Sequence, residues 1–363
     1  MPDINGSMAH LSDGLFTTAI STYALAMIGY TAEFAFGRVG RKATAKETHR
    51  QRVAVPTSAP DRELVGAGGP GVASGDAPDA PIAPAPRIPE LSADVPPPAA
   101  PRRGLAERFG RGALLVTVLG AAIHVASIAV RAIAVDAVPW SNMYEFASVA
   151  GLVAVLAFVA VMWRAPQLRF LGGFILLPVI LTMFLAGTVL YSRAQPLVPA
   201  LQSYWLGIHV TLVSIAEGAL MTSAVLTVLY LIKQRHDRLA AKPGYDATSS
   251  FATLAARLPA AATLDKAAYR VVAFSFPLYT VAIICGAIWA EAAWGRYWGW
   301  DPKETWAFIV WVIYAGYLHA RATAGLKGRP AGWINLLGFG AITFNFFVVN
   351  IVVSGLHSYA GLS

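Results

Sequence analysis

The chain has 363 residues, 56% hydrophobic and only 13% charged, where soluble globular domains run near 45–50% apolar and 25% charged. That balance excludes a soluble enzyme built around one core and points to an all-α, polytopic membrane bundle. The net charge of +8 would suit a nucleic-acid binder, but in a membrane chain the placement of the charges matters more than their sum. One cysteine, Cys285, can neither close an intramolecular disulfide nor form a CxxC pair, so any thiol chemistry must come from a partner.

Apolar stretches at about 14–36, 112–134, 144–163, 170–190, 207–232, 270–292, 306–322 and 332–354 are each near the ~20 residues that cross a hydrocarbon core as a helix. The first has no basic segment before it and a polar start, which favours a membrane anchor over a cleaved signal peptide. Eight spans put both termini on one side. The connecting segments 37–111, 164–169, 233–270 and 321–331 hold 24 of the 28 Lys and Arg residues, leaving Arg131, Arg193, Arg296 and Lys303 on the other side. By the positive-inside rule the basic segments are cytoplasmic and both termini face outward, so the positive charge reads as topology and not as a nucleic-acid surface.

Three regions follow: an anchor over 1–36, a Pro- and Ala-rich cytoplasmic linker over 37–111, and a seven-helix domain over 112–363. Twelve of the 23 prolines lie between 56 and 101, a composition that cannot bury enough apolar surface to offset its ordering entropy. The linker's length implies an anchor loosely coupled to the other spans. A second, shorter linker is expected at roughly 237–265.

Six of the ten tryptophans fall in WAEAAWGRYWGWDPKETWAFIVW, between the sixth and seventh spans. Interfacial anchoring explains some of them. Trp294, Trp298, Trp300 and Trp306, crowded with Tyr297 and two glycines, offer more flat aromatic surface than anchoring needs, and a large planar apolar ligand would use such a platform. Arg296 and Lys303 suit carboxylates at the edge of that ligand. Asp301-Pro302-Lys303-Glu304 also reads as a capping box starting the seventh span, and Asn142 and Glu145 in PWSNMYEF as a cap for the third.

The string WGRYWGWDPKETWAFIVW resembles the tryptophan-rich WWD signature of haem-handling proteins of cytochrome c maturation. Together with SYWLGIHV before the fifth span and LHSYA near the C-terminus, it resembles the CcsA (or ResC) branch, whose actinobacterial members are often called CcsB; the likeness covers about 112–363. It implies haem b as cargo and the role of a system II cytochrome c synthase subunit in the bacterial cytoplasmic membrane, with the haem site on the extracytoplasmic face. The implied partners are a ResB-type membrane protein, an apocytochrome c that supplies the thiols of its CxxCH motif, and a thioredoxin-like thiol reductant. Asp301, inside the signature, joins the four tryptophans as a platform residue.

Of seven histidines, His10, His49 and His236 fall in tails or basic segments. His209 and His357 lie at the level of the tryptophan loop, where two neutral imidazoles could approach an iron from opposite faces of a macrocycle. The resemblance implies that they are the outer axial ligands. His319, near the inward end of the seventh span, is about 25 Å deeper than Pro302, and by resemblance it ligates an intramembrane haem shared with a partner's histidine. His124 and Glu217 are ionisable groups within spans and hence functional candidates, although no motif covers them and hydrogen bonds to neighbouring helices account for both. Two rivals to the synthase role are a haem exporter or chaperone without synthase activity, and a secondary transporter using His124 and Glu217 as coupling groups. A transporter leaves the tryptophan loop unexplained.

Overall fold

The computed structural model describes residues 5–53, 103–164, 166–195, 199–323 and 325–357, with backbone alone for 37–53. Nine α-helices occur among them: α1 (Gly6–Val53), α2 (Arg103–Val135), α3 (Met143–Arg164), α4 (Gly172–Thr188), α5 (Tyr204–Ala240), α6 (Ser250–Ala255), α7 (Ala261–Trp294), α8 (Pro302–Ala322) and α9 (Arg329–Ile351). All eight expected spans are helical. Seven are long and apolar enough to cross a membrane; the exception, α8, is 21 residues long and carries Lys303, Glu304, His319 and Arg321 at its ends.

Helix ends follow local chemistry. The α3 start is capped by Asn142, whose Oδ1 accepts from Glu145 N–H at 2.9 Å. Ser203 Oγ accepts from Trp205 N–H at the start of α5. The reciprocal Asp301–Glu304 capping box opens α8 as expected. α7 ends at Gly295, whose φ of 69° is the left-handed conformation that releases the chain into the tryptophan loop.

Hydropathy misplaces several boundaries, because a helix does not stop where the hydrocarbon does. α1 continues to Val53 and α2 begins at Arg103, so both ends of the expected linker 37–111 are helical; residues 54–102 lie outside the described residues. In the second linker α5 persists to Ala240, α6 forms over 250–255, and α7 starts at Ala261, nine residues before its apolar stretch. Ala-rich polar sequence carries high helix propensity without being apolar.

The expectation of a loosely coupled first span is overturned. α1 packs along α2 and against α4, with Ala19, Tyr23 and Ala26 wholly buried. Polar groups fix the contact further: the Ser12 and Ser127 hydroxyls each donate to the other's backbone carbonyl, at 3.0 and 2.9 Å. Arg131 pairs with Asp13 of α1 at 3.3 Å and with Glu145 of α3 at 3.0 Å, and donates to Ser192 O at 2.6 Å. At the other end Arg169 pairs with Glu33 at 2.7 Å. A buried guanidinium of this kind is tolerated only with its partners in place, so the linker's composition says nothing about how firmly the helix it leads to is held.

The bundle has an N-terminal half, α1–α4, cored by residues such as Phe16, Tyr30, Phe158 and Met183, and a C-terminal half in which α5, α7, α8 and α9 enclose Leu220, Tyr279, Val310 and Tyr314. α3 meets α5 where a Cβ on Gly218 would come within 2.6 Å of Ala150 O, so only glycine allows the approach. Along the α5–α9 seam, Asn335 donates to Ser223 Oγ and Thr227 Oγ1, at 2.9 and 2.6 Å.

Candidate functional site

At one end of the C-terminal half, α5, α7, α8, α9 and the 140–146 segment surround an open cleft, lined by both His209 and His357. Its lining is mainly apolar and aromatic, with a few polar groups, the usual make-up of a small-molecule site.

His209 sits in the second turn of α5. Its Nδ1–H donates to Ala282 O of α7 at 2.7 Å; in that tautomer, assigned by the bond, the lone pair is on Nε2. The ring lies against α7 because residue 286 is glycine: a Cβ there would come within 2.7 Å of imidazole Nδ1 and Cε1. His209 stacks near-parallel on Trp289, with centroids 6.1 Å apart and 15° between planes.

His357 reaches the same tryptophan from the tail beyond α9. Its ring is 5.8 Å from that of Trp289 and 5.2 Å from Trp294, both edge-on. Nδ1 is 3.3 Å from Asp301 Oδ2, and Leu356 N–H donates to Asp301 Oδ1 at 2.9 Å. A single carboxylate thus caps α8, clasps the tail and orients the imidazole, the arrangement in which carboxylates position metal-ligating histidines. Burial pushes the His357 pKa down, against the opposing pull of Asp301, and so favours the neutral ring that can ligate. Burial alone would raise the Asp301 pKa, but the bonds from His357 and Leu356 hold it below the ordinary carboxylate value.

The expected platform divides. Trp294 and Trp298 line the cleft. Trp300 turns outward, 65% exposed, at a left-handed φ of 58°, and meets the edges of Trp298 and Phe308. Trp306 packs on Phe344 of α9 with centroids 4.2 Å apart. The two cations differ as well: Arg296 pairs with Glu304 at 3.3 Å, while Lys303 turns into the cleft, its Nζ donating to Asn350 Oδ1 at 2.7 Å. His319 is exposed on the outside of α8 and does not join this site. His124, as its alternative reading holds, is a buried structural group, with Nδ1 at 3.3 Å from Tyr23 OH and Nε2 at 2.9 Å from Ser148 Oγ. Glu217 lines the cleft.

Residues 140–357 match the family model of the cytochrome C assembly protein. The chain belongs to the cytochrome c assembly family. Among its relatives is the cytochrome c biogenesis protein CcsA of Gloeobacter violaceus, 35% identical over 303 residues that cover 71% of this chain and 88% of the relative. CcsA of Guillardia theta is 38% identical over 235 residues, covering 62% and 77%, and CcsA of Trieres chinensis 35% over 247 residues, covering 62% and 78%. The resemblance read from the tryptophan segment is therefore to the right family, and a role in cytochrome c biogenesis follows from membership. The matched segment of the cytochrome c assembly family opens at Trp140 and closes at His357, both of which line the cleft.

Sequence reasoning passed over three contributors, Trp289, Gly286 and Trp140, and gave a fourth, Asp301, only part of its role. Trp289, only 2% exposed, stands between the two histidines but lies inside a span, where it reads as core. Gly286 shares a helix face with it at i, i+3, a spacing that was the available signal for a small residue under a large side chain. Asp301 reads as a cap and a platform residue, and its bond to the imidazole depends on a tail 56 residues away. Trp140 lines the cleft from a different loop, remote in sequence from the tryptophan cluster.

Proposed function

We propose that the chain holds haem as its cargo between His209 and His357 and presents it for covalent attachment to the CxxCH motif of an apocytochrome c, as a subunit of a system II cytochrome c synthase. The observation carrying this reading is the pair of imidazoles on one aromatic-walled cleft, each with Nδ1 committed to a backbone carbonyl or a carboxylate, so that each lone pair is on Nε2. That is the tautomer an axial ligand needs. Trp289, Trp294 and Trp298 supply flat apolar wall for a macrocycle.

The division of labour follows from composition. The thioether bonds need two thiols and this chain has one cysteine, Cys285, buried in α7; the substrate therefore brings the thiols, and a thioredoxin-like reductant keeps them reduced. The distribution of Lys and Arg over the connecting segments supports a cleft on the extracytoplasmic face of the bacterial cytoplasmic membrane. The exposure of His319 on α8 supports an intramembrane entry site completed by a ResB-type partner.

The test is purification with the ResB-type partner, an absorption spectrum, and a haem stain of a co-expressed apocytochrome. Wild type shows low-spin haem and yields covalent cytochrome; His209→Ala and His357→Ala each lose both, and added imidazole restores part of either by filling the vacated position. Wild-type spectra and maturation in both variants overturn the ligand assignment. Haem binding without covalent cytochrome, with a competent partner and substrate present, assigns the chain to haem export instead.

A further inference from the structure

Below the two histidines the cleft has a polar floor that the axial-ligand reading does not use. Glu217 projects into it from α5, eight residues and about 12 Å from His209, and Lys303 enters from the first turn of α8, so that an acid and a base line one cleft. Lys303 Nζ is also held by Asn350, and Asn345 lines the same floor with its Oδ1 buried and without a hydrogen-bond partner. An acid and a base enclosed in a helix bundle are costly, and carrying both in one cleft lowers that cost. A buried amide atom with no partner calls for a polar group not supplied by the protein. Flipped, that amide offers its NH₂ in the same direction.

We propose that this floor is a carboxylate-exchange subsite, in which Glu217 is the resident counter-ion of Lys303 and is displaced by a carboxylate side chain of a tetrapyrrole whose iron lies between His209 and His357. The inference rests on the haem-holding reading above and adds a rule of recognition to it. With Glu217 alone the floor is neutral; when an incoming carboxylate takes Lys303, the floor carries one negative charge too many. Glu217 therefore opposes retention of the cargo while Lys303 favours it, and their balance keeps a carrier from becoming a sink. Lys303 is the one Lys or Arg that lines the cleft with Glu217 among the described residues, and the other carboxylate there, Glu304, is paired with Arg296. Glu217 acts as a positioning residue through Lys303 and touches no reacting atom.

The experiment titrates the full chain, purified with its partner and stripped of haem, with iron protoporphyrin IX and separately with its dimethyl ester, which keeps the iron and ring but has no free carboxylate. Low-spin absorption reports occupancy. Wild type favours the diacid. Glu217→Gln tightens the diacid at least roughly tenfold, the scale of one charge-assisted hydrogen bond, and leaves the ester unchanged; Glu217→Asp, which keeps the charge on a shorter arm, falls between and serves if the glutamine variant fails to fold. Lys303→Gln lowers the diacid to the ester's affinity. Equal shifts for both ligands in Glu217→Gln, or an unchanged diacid preference in Lys303→Gln, overturn the exchange while leaving a bis-histidine spectrum, and with it the haem-holding reading, intact. Failure of wild type to bind either tetrapyrrole removes both.

Discussion

His124 and His209 are both imidazoles enclosed by helices, and their surroundings differ in kind. In the N-terminal half, His124 is clamped between two hydroxyls, Tyr23 on α1 and Ser148 on α3, and both ring nitrogens are used. In the C-terminal half, His209 gives one nitrogen to a backbone carbonyl and lies beside a cleft, and His357 gives one to a carboxylate beside the same cleft. A histidine whose partners satisfy it on both sides joins helices. A histidine held through Nδ1 on the wall of a cleft is placed for a different use. The chemical type of the ring's partners, and whether a cleft adjoins it, tell these two settings apart better than depth in the membrane does.

The sharpest way to break this comparison is to remove α1. Deleting residues 1–105 strips Tyr23 from His124 and Asp13 from Arg131, and losing one partner of a buried ion pair alone costs about 3–5 kcal/mol. The truncated protein is expected to melt well below the full chain and to insert poorly. A truncation with unchanged melting behaviour would return the first span to a loose tether. His124→Ala should cost less, about 1–3 kcal/mol for the hydroxyls left unpaired, while the haem spectrum of the surviving protein stays that of wild type. Changed haem bands in His124→Ala would mean that the N-terminal half is part of the cargo site.

Asp301→Asn retains a helix cap but replaces the carboxylate that orients His357. Haem affinity should fall roughly 10–100-fold, the usual effect of removing such a support, with little change in melting temperature. Gly286→Ala pushes a methyl into the His209 ring and should weaken binding by about 1–3 kcal/mol, as overpacking does. Smallest and most discriminating are the tryptophans: Trp294→Ala and Trp298→Ala should each weaken binding by on the order of 1–3 kcal/mol, and Trp300→Ala, outside the cleft, by clearly less. Equal losses at all three positions would restore the undivided platform.

Much of this molecule is written in short-range patterns. Eight apolar stretches mark eight helices, and Asn142, Asp301 and Glu304 announce helix starts because capping is a matter of three or four consecutive residues. The WWD signature, SYWLGIHV and LHSYA are equally local, and they led to the family and to two histidines that line one cleft. What escaped depends on contacts between distant segments. Nothing near Tyr23 in sequence reveals that it meets His124, and nothing near Asp301 reveals the tail that returns to it. The tryptophans illustrate the limit from the other side: their clustering is visible, but whether an indole faces the cleft, as at Trp298, or the outside, as at Trp300, turns on one left-handed residue.

The two proposed ligands are mounted on supports of different stiffness. His209 belongs to a 37-residue helix, whereas His357 belongs to a tail secured at Asp301, where the Leu356 amide shares the carboxylate with the imidazole. Cargo departure should therefore begin at the tail, with the helix as the last point of attachment. The Leu356 amide offers a built-in gauge of that event: its hydrogen exchange should slow when the cleft is filled and quicken in Asp301→Asn. Unloading a rigid bundle then requires only that a few residues peel away, with no rearrangement of the helices that cross the bilayer.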